Sequence, residues 1–178
     1  MKEIEIKVLD VNEEEIISKV IENNAKKVAD VLIHEKYYDF DDEKLTKNNE
    51  ILRLRKAGDK VDLGHKRKKS DPGGFLVFDE FETIVNDFDT MNIIIENLGM
   101  KPIIDREKRR VTLSYNKLII EIHKYPSIPA WLELEGTEED IKDFLSKLGY
   151  NMKNTSSLTD NEILKKYGAN VSYQRMDK

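Results

Sequence analysis

The sequence predicts an α+β fold in which antiparallel strands curl into a closed or nearly closed β-barrel, with helices packed on its outside. Three observations lead there. First, strand-like alternation recurs along the chain with charged residues on one side of each segment: Glu3, Glu5 and Lys7 against Ile4, Ile6 and Val8, Arg53 and Arg55 between Leu52 and Leu54, Glu80 and Glu82 around Phe81, and Glu133 and Glu135 against Leu132 and Leu134. Second, segments with helical periodicity are interspersed among these strands. Third, charged residues make up 37% of the chain and hydrophobic residues 39%, more ionic groups than a surface coat requires. A half-buried strand ordinarily turns its polar side to water. Many strands sharing one charged face are accommodated when the sheet closes on that face, so that the apolar members meet the helices and the charged members line a channel.

The elements follow in order. The first strand covers residues 3–8. Asn12 or Ser18 is suited to cap helical turns, and Val11, Ile16, Ile17, Val20, Ile21 and Val28 form a helical stripe to about residue 28. Residues 31–39 read as extended, with Tyr37 and Tyr38 bulky enough to cover a neighbouring strand, and 41–49 are polar enough for a loop or short helix. Residues 51–56 form a strand ended by Ala57-Gly58-Asp59. Residues 61–69 are extended and unusually basic, and Asp71-Pro72-Gly73-Gly74 ends them in a turn or loop. A strand over 75–84 precedes a helix over 89–98 that stops at Gly99, with Met91, Ile94, Ile95 and Leu98 as its apolar face. Three more strands cover 103–115, 118–123 and 131–135; Asn116-Lys117 joins the first two tightly, and Pro126 and Pro129 make the next connection irregular. A last long helix runs from Thr137 to Gly149, where Glu138, Glu139 and Asp140 complement its dipole. Beyond it lie a short helix at 160–166 and an extended piece at 171–173. Residues 1–178 are expected to form a single domain, with 150–178 covering an open end.

Composition narrows the function. Thirty basic against 35 acidic residues give a net charge of -5, which argues against general nucleic-acid affinity while leaving room for a local basic pocket. With no cysteine there is neither a disulfide nor thiolate-bound zinc. No run approaches the ~20 apolar residues of a membrane span and no signal sequence precedes the first strand, so no membrane association and a cytoplasmic location are expected.

The channel lining expected from strand parity is acidic at Glu3, Glu5, Glu80, Glu82, Glu121, Glu133 and Glu135, and basic at Lys7, Arg53, Arg55, Lys66, Lys68, Arg106, Lys108 and Arg110. Such a concentration is costly without pairing, water or a charged ligand. Arginine and lysine suit phosphate oxygens, and clustered carboxylates suit Mg2+ or Mn2+. A chain of phosphates bridged by metal uses both sets, and the expected chemistry is phosphoryl or nucleotidyl transfer.

These pieces resemble the CYTH superfamily, also described as triphosphate tunnel metalloenzymes. Glu3-Ile-Glu-Ile-Lys7 resembles its N-terminal ExExK motif and Leu52-Arg53-Leu54-Arg55 its paired-arginine strand; Asp79-Glu80-Phe81-Glu82, Lys108-Arg109-Arg110 and Trp131-Leu132-Glu133-Leu134-Glu135-Gly136 follow in order over roughly residues 1–150. The resemblance implies an eight-stranded antiparallel tunnel with peripheral helices, a triphosphate substrate (ATP, thiamine triphosphate or inorganic triphosphate) and an essential divalent metal. It makes Glu3, Glu5 and Glu135 the leading metal ligands, with Glu133 and Glu82 next. Lys7, Arg53, Arg55, Lys66, Lys68, Lys108 and Arg110 become the phosphate-binding set, and Glu5, Glu133, Glu135 and Arg53 the catalytic group. Arg109 has the opposite parity and is assigned to the surface.

Glu80, Arg106, Glu121 and His123 are left without a fixed role. His123 departs from the family pattern, which has a carboxylate there, and stands either as a modified metal position or as a tunnel-rim histidine bonded to Glu121 or water. His34-Glu35-Lys36 likewise departs from the pattern before Tyr37-Tyr38. The motifs resemble those of triphosphatases and of class IV adenylate cyclases alike. Hydrolysis of a triphosphate is the expected reaction, with conversion of ATP to cyclic AMP and pyrophosphate as the alternative and a noncatalytic phosphate-binding module as a further one. A homodimer is expected if an exposed helix face or the C-terminal segment supplies the contact.

Overall fold

The computed structural model describes residues 2–69 and 73–176. Nine strands form one sheet: β1 (Lys2–Val11), β2 (Lys26–Asp39), β3 (Glu50–Ala57), β4 (Lys60–Lys69), β5 (Leu76–Ile84), β6 (Lys101–Tyr115), β7 (Leu118–Lys124), β8 (Ala130–Glu135) and β9 (Tyr173–Gln174). The spatial order is β2-β3-β4-β5-β1-β8-β7-β6-β9, and β2 also pairs with β6, so eight antiparallel strands close into a barrel. β9 is an addition outside that ring, pairing parallel to β6 at Asp105 and Arg106. Among the described residues five α-helices accompany it: α1 (Glu13–Glu22), α2 (Lys44–Lys47), α3 (Phe88–Asn97), α4 (Glu138–Lys147) and α5 (Asp160–Lys166). Among the described residues, no helix is long and apolar enough to cross a membrane.

Alternation in the sequence determines which way each side chain points. Ile6, Val8, Leu132, Leu134, Ile120, Ile122, Val111 and Leu113 leave the barrel outward and are covered by Ile16 and Val20 of α1 and by Ile141, Phe144, Leu145 and Leu148 of α4. Burying such residues removes apolar surface from water at roughly 25 cal/mol per Å2, which drives the helices onto the barrel wall. A smaller cluster of Tyr38, Leu54, Val61, Phe88 and Ile95 lies under α3. A third, of Tyr125, Ile128, Trp131, Ile163 and Leu164, fastens α5 across one end.

The first helix is shorter than its periodicity suggests. It is capped by Asn12, whose side chain accepts from Glu15 N, and it ends at Glu22, with Asn24 in the left-handed region at φ 68°. Val28 belongs instead to β2, where it falls in a bulge between Lys27 and Ala29 and stays exposed. The apolar face of α3 also differs: Phe88 and Ile95 are buried, whereas Ile94 and Leu98 are exposed, because three consecutive isoleucines at 93–95 cannot share one helical face. Of the turn expected at Asp71-Pro72-Gly73-Gly74, Asp71 and Pro72 lie outside the described residues.

Candidate functional site

The register brings the charged positions together. Glu5 faces Glu135 and Lys7 faces Glu133 across β1 and β8, while Glu121 faces Glu133 across β7 and β8. On the other side Arg53 faces Gly64 and Arg55 faces Asp62 across β3 and β4, and Gly64 and Lys66 face Glu82 and Glu80 across β4 and β5. Gly64 has no side chain of its own to project here; the space beside it is occupied by Arg53 Nη2, Glu80 and Glu82. All of these but Lys7, Asp62 and Gly64 line a cavity of about 970 Å3 through the barrel, within the size range of small-molecule sites.

Three groups of contacts divide the lining. Near the start of β1, Lys66 donates to Glu3 at 2.6 Å and pairs with Glu80 at 3.3 Å. Glu5 bonds to Lys7, and Glu135 stands beside both Glu3 and Glu121. Positive charge is scarce here. Burial, opposed by Lys66 and reinforced by Glu5, pushes Glu3 up to about 7, and burial with Glu3 and Glu121 nearby pushes Glu135 up to about 8. Burial and the Glu133 charge likewise raise Glu5 despite Lys7.

On the β3–β5 side, Arg55 donates to Asp62 at 3.1 Å and to Glu82 at 2.9 Å, and Arg53 donates to Glu82 at 3.3 Å and lies 3.6 Å from Glu80. Glu82, expected among the metal ligands, is held between the two guanidinium groups. Its position suits orienting the arginines, because the register pairs it with Gly64 beside Arg53. Lys66 and Lys68 also separate: Lys66 reaches the acidic group, and Lys68 is exposed at the cavity edge.

The third group lies toward α5. Lys7 pairs with Glu133 at 2.8 Å, Arg106 donates to Glu35 at 2.7 Å and to Asn161 at 2.7 Å, and Lys108 donates to Asp160 at 2.7 Å. Arg110 donates to Glu121 at 3.1 Å. Cations dominate. Burial opposes ionisation of Glu35, yet Lys108 and Arg106 hold it down at about 2. Burial is likewise outweighed at Glu133 by Lys7 and His123, at Glu121 by His123 and Arg110, and at Asp160 by Lys108 and His123, so all three stay below the usual carboxylate range.

Arg106 is fully buried, and with Glu35, Tyr37 and Asn161 all bonded to its guanidinium it acts as a strut between the barrel and α5. Arg109 points outward to Asp30 and Glu13, as parity requires. Arg67 and Lys69 also point away, to Glu50 and Asp79, so the basic run on β4 is divided between wall and surface.

Several interior residues escape the sequence reading, among them Glu35, Asp62, Tyr125 and Asp160. Glu35 lies inside because it faces Arg55 and Arg106 in the register, a parity signal masked by the apolar Ile33 that precedes it on the same face. Tyr125 and Asp160 come from a proline-rich connection and from the C-terminal helix, where no alternation marks direction.

Glu3, Glu5 and Glu135 are oxygen donors with too little positive charge around them, but as they stand their oxygens are spread too widely to form one ligand group. Glu121, His123 and Glu133 each place a ligand atom within 4.8 Å of the other two.

Solved structures of similar shape are numerous. A Vibrio parahaemolyticus protein described provisionally as an adenylate cyclase superposes with a TM-score of 0.81 at 16% identity, covering 92% of this chain and 97% of the other. A Pyrococcus horikoshii protein gives 0.75 at 23% identity over 88% and 96%. A Hippeastrum protein, first assigned as an adenylyl cyclase and described as having a dominant triphosphatase activity, gives 0.66 at 16% identity over 94% and 97%. At these identities the likeness establishes the fold. A sequence search of curated proteins gives no match. The CYTH domain matches residues 1–156, and with the closed tunnel and its charged lining in place, the chain belongs to the CYTH superfamily.

Proposed function

We propose that this chain is a divalent-metal-dependent enzyme that processes a triphosphate inside its barrel, and that its reaction is hydrolysis of an inorganic or organic triphosphate. The observation that carries this reading is the lining itself: across one cavity, guanidinium and ammonium groups stand opposite carboxylates that lack enough positive charge. A polyphosphate with its cation supplies what each side lacks. Arg53 Nε and Arg110 Nε are buried with no hydrogen-bond acceptor among the described residues, and phosphate oxygens would satisfy both.

Magnesium or manganese held by Glu3, Glu5 and Glu135 would withdraw charge from phosphate oxygens and acidify a bound water. The chain's own residues do the remaining work. Arg53, Arg55, Lys66, Lys108 and Arg110 hold the phosphates extended and offset the charge of the transferring phosphoryl group. Lys7 fixes Glu133 through one oxygen, and the other is left to orient the attacking water. Lys68 at the cavity edge draws the polyanion inward.

Hydrolysis and cyclisation share this phosphate cradle; cyclisation additionally needs a ribose 3'-hydroxyl aligned with the α-phosphorus. The charged lining throughout the middle of the tunnel, and the triphosphatase activity described for the Hippeastrum protein, favour hydrolysis. The test is a side-by-side product assay on inorganic triphosphate, ATP and thiamine triphosphate with magnesium and with manganese. Phosphate release is expected. Cyclic AMP with pyrophosphate would replace the hydrolase reading by a cyclase, and binding without any product would make the tunnel a noncatalytic module.

A further inference from the structure

Asp62 on β4 is 0% exposed and stands opposite Arg55 in the β3–β4 register. Both of its oxygens accept from Arg55 Nε, at 3.1 Å each. Arg55 Nη2 donates in turn to Glu82 at 2.9 Å. Nε and Nη2 make up one edge of the planar guanidinium, so that whole edge is taken by carboxylates of the protein. Nη1 donates to no residue among those described, and Arg55 lines the cavity while Asp62 does not. Asp62 thus holds the arginine from behind.

Charge alone gives no reason for a carboxylate here. Burying an ion pair costs desolvation that its attraction seldom exceeds, and an apolar pair of similar volume often serves stability as well. A negative charge beside a group that binds phosphate also repels the arriving polyanion. What Asp62 supplies is direction: a long side chain ending in a flat fork has many ways to lie, and fixing it at Nε leaves Nη1 one way to point. Glu82 is less exclusive, since it also pairs with Arg53 and lies near Lys60. Among the described residues Asp62 pairs with Arg55 alone.

We propose that Asp62 is a positioning residue of the triphosphate reaction, aiming the Nη1 end of Arg55 at the phosphates through its grip on Nε. The inference rests on the triphosphate reading above and adds to it a residue that touches no substrate.

The test is a double-mutant cycle on the full chain: phosphate release from inorganic triphosphate with magnesium by the parent, Asp62→Asn, Arg55→Ala and the double variant. Asp62→Asn should lower kcat by ~10- to 100-fold, the scale of a misplaced contact, while KM stays or falls because a repelling charge has gone. In the Arg55→Ala background the same substitution should leave kcat unchanged. A kcat within about twofold of the parent in Asp62→Asn, or an equal loss in both backgrounds, overturns the positioning role and leaves the triphosphatase reading standing. A parent that releases no phosphate overturns that reading, and this inference with it. Because a buried substitution can impair folding, a second measurement keeps Asp62: the Arg55 Nε–H nitrogen-15 signal of the parent chain, identified by its loss in Arg55→Lys. Its proton should exchange with water more slowly than those of exposed arginines. Exchange at their rate overturns the proposal.

Discussion

Glu3, Glu5 and Glu135 at one end of the tunnel, and Glu35, Glu121, Glu133 and Asp160 toward the other, are carboxylates on the same barrel interior with opposite acidities. The first set is pushed up, to about 7 and about 8 for Glu3 and Glu135. The second is held down, to about 2 for Glu35. Burial raises every one of them, so burial does not distinguish the sets. The number of cations does: Lys66 and Lys7 serve three carboxylates at one end, while Lys7, Arg106, Lys108 and Arg110 converge on four at the other. One end of the tunnel is short of positive charge, and at the other the protein's own cations compensate the carboxylates.

The sharpest test of this division is turnover. Glu5→Gln and Arg53→Ala remove one member from the cation-poor end and one from the phosphate cradle, and each should lower the rate of metal-dependent product release by roughly 100- to 1000-fold. Normal rates in both folded variants would break the site assignment. Lys7→Met should next cost about 3–5 kcal/mol in denaturant unfolding, because it strands Glu5 and Glu133 without their shared counter-charge. A loss below about 1 kcal/mol, the scale of an exposed pair, would show that water replaces the ammonium there.

The pH dependence separates the two sets by sign. Glu3 and Glu135 have folded values above the ordinary 4.5, so their favourable contribution is complete below that value and is lost as pH rises through about 7 and 8. The melting temperature of the metal-free chain should therefore fall between about pH 5 and pH 8, less steeply in Glu135→Gln. Magnesium should offset the fall in the parent chain. Glu35 runs the other way, contributing fully above 4.5 and losing that contribution as pH drops toward about 2. A flat profile from pH 5 to 8 would mean that the cation-poor end is hydrated and unstrained. The smallest effect belongs outside the barrel: Arg109→Ala, on a half-exposed network with Asp30 and Glu13, should change stability by no more than ~1 kcal/mol and leave turnover unchanged.

What could be read in the sequence followed the two-residue period. Glu3, Glu5, Lys7, Arg53, Arg55, Glu133 and Glu135 alternate with apolar neighbours, and that alternation survives folding because each strand has one face on the helices and one on the tunnel. The period fails where a face changes character. Val28 sits in a bulge, Ile33 is apolar on the charged face, and Trp131 turns into the end sealed by α5. Asp160 obeys no strand period, since α5 carries it inward from the C-terminal segment. The charge imbalance between the two ends was illegible for a different reason: it depends on which cation reaches which carboxylate across strands distant in sequence.

That distance has a consequence for how the chain acquires its shape. β1 is bordered by β5 and β8, and its Lys7 backbone exchanges hydrogen bonds with Ser156, so the earliest strand finds all of its neighbours only after most of the polypeptide is present. Contacts of such sequence separation slow folding. Until they form, Ile4, Ile6 and Val8 must wait uncovered beside unpaired backbone groups. The strand that carries the ExExK motif is therefore also the one that joins the β2–β5 and β6–β8 halves of the wall, on the side of the barrel away from the β2–β6 pairing that closes it.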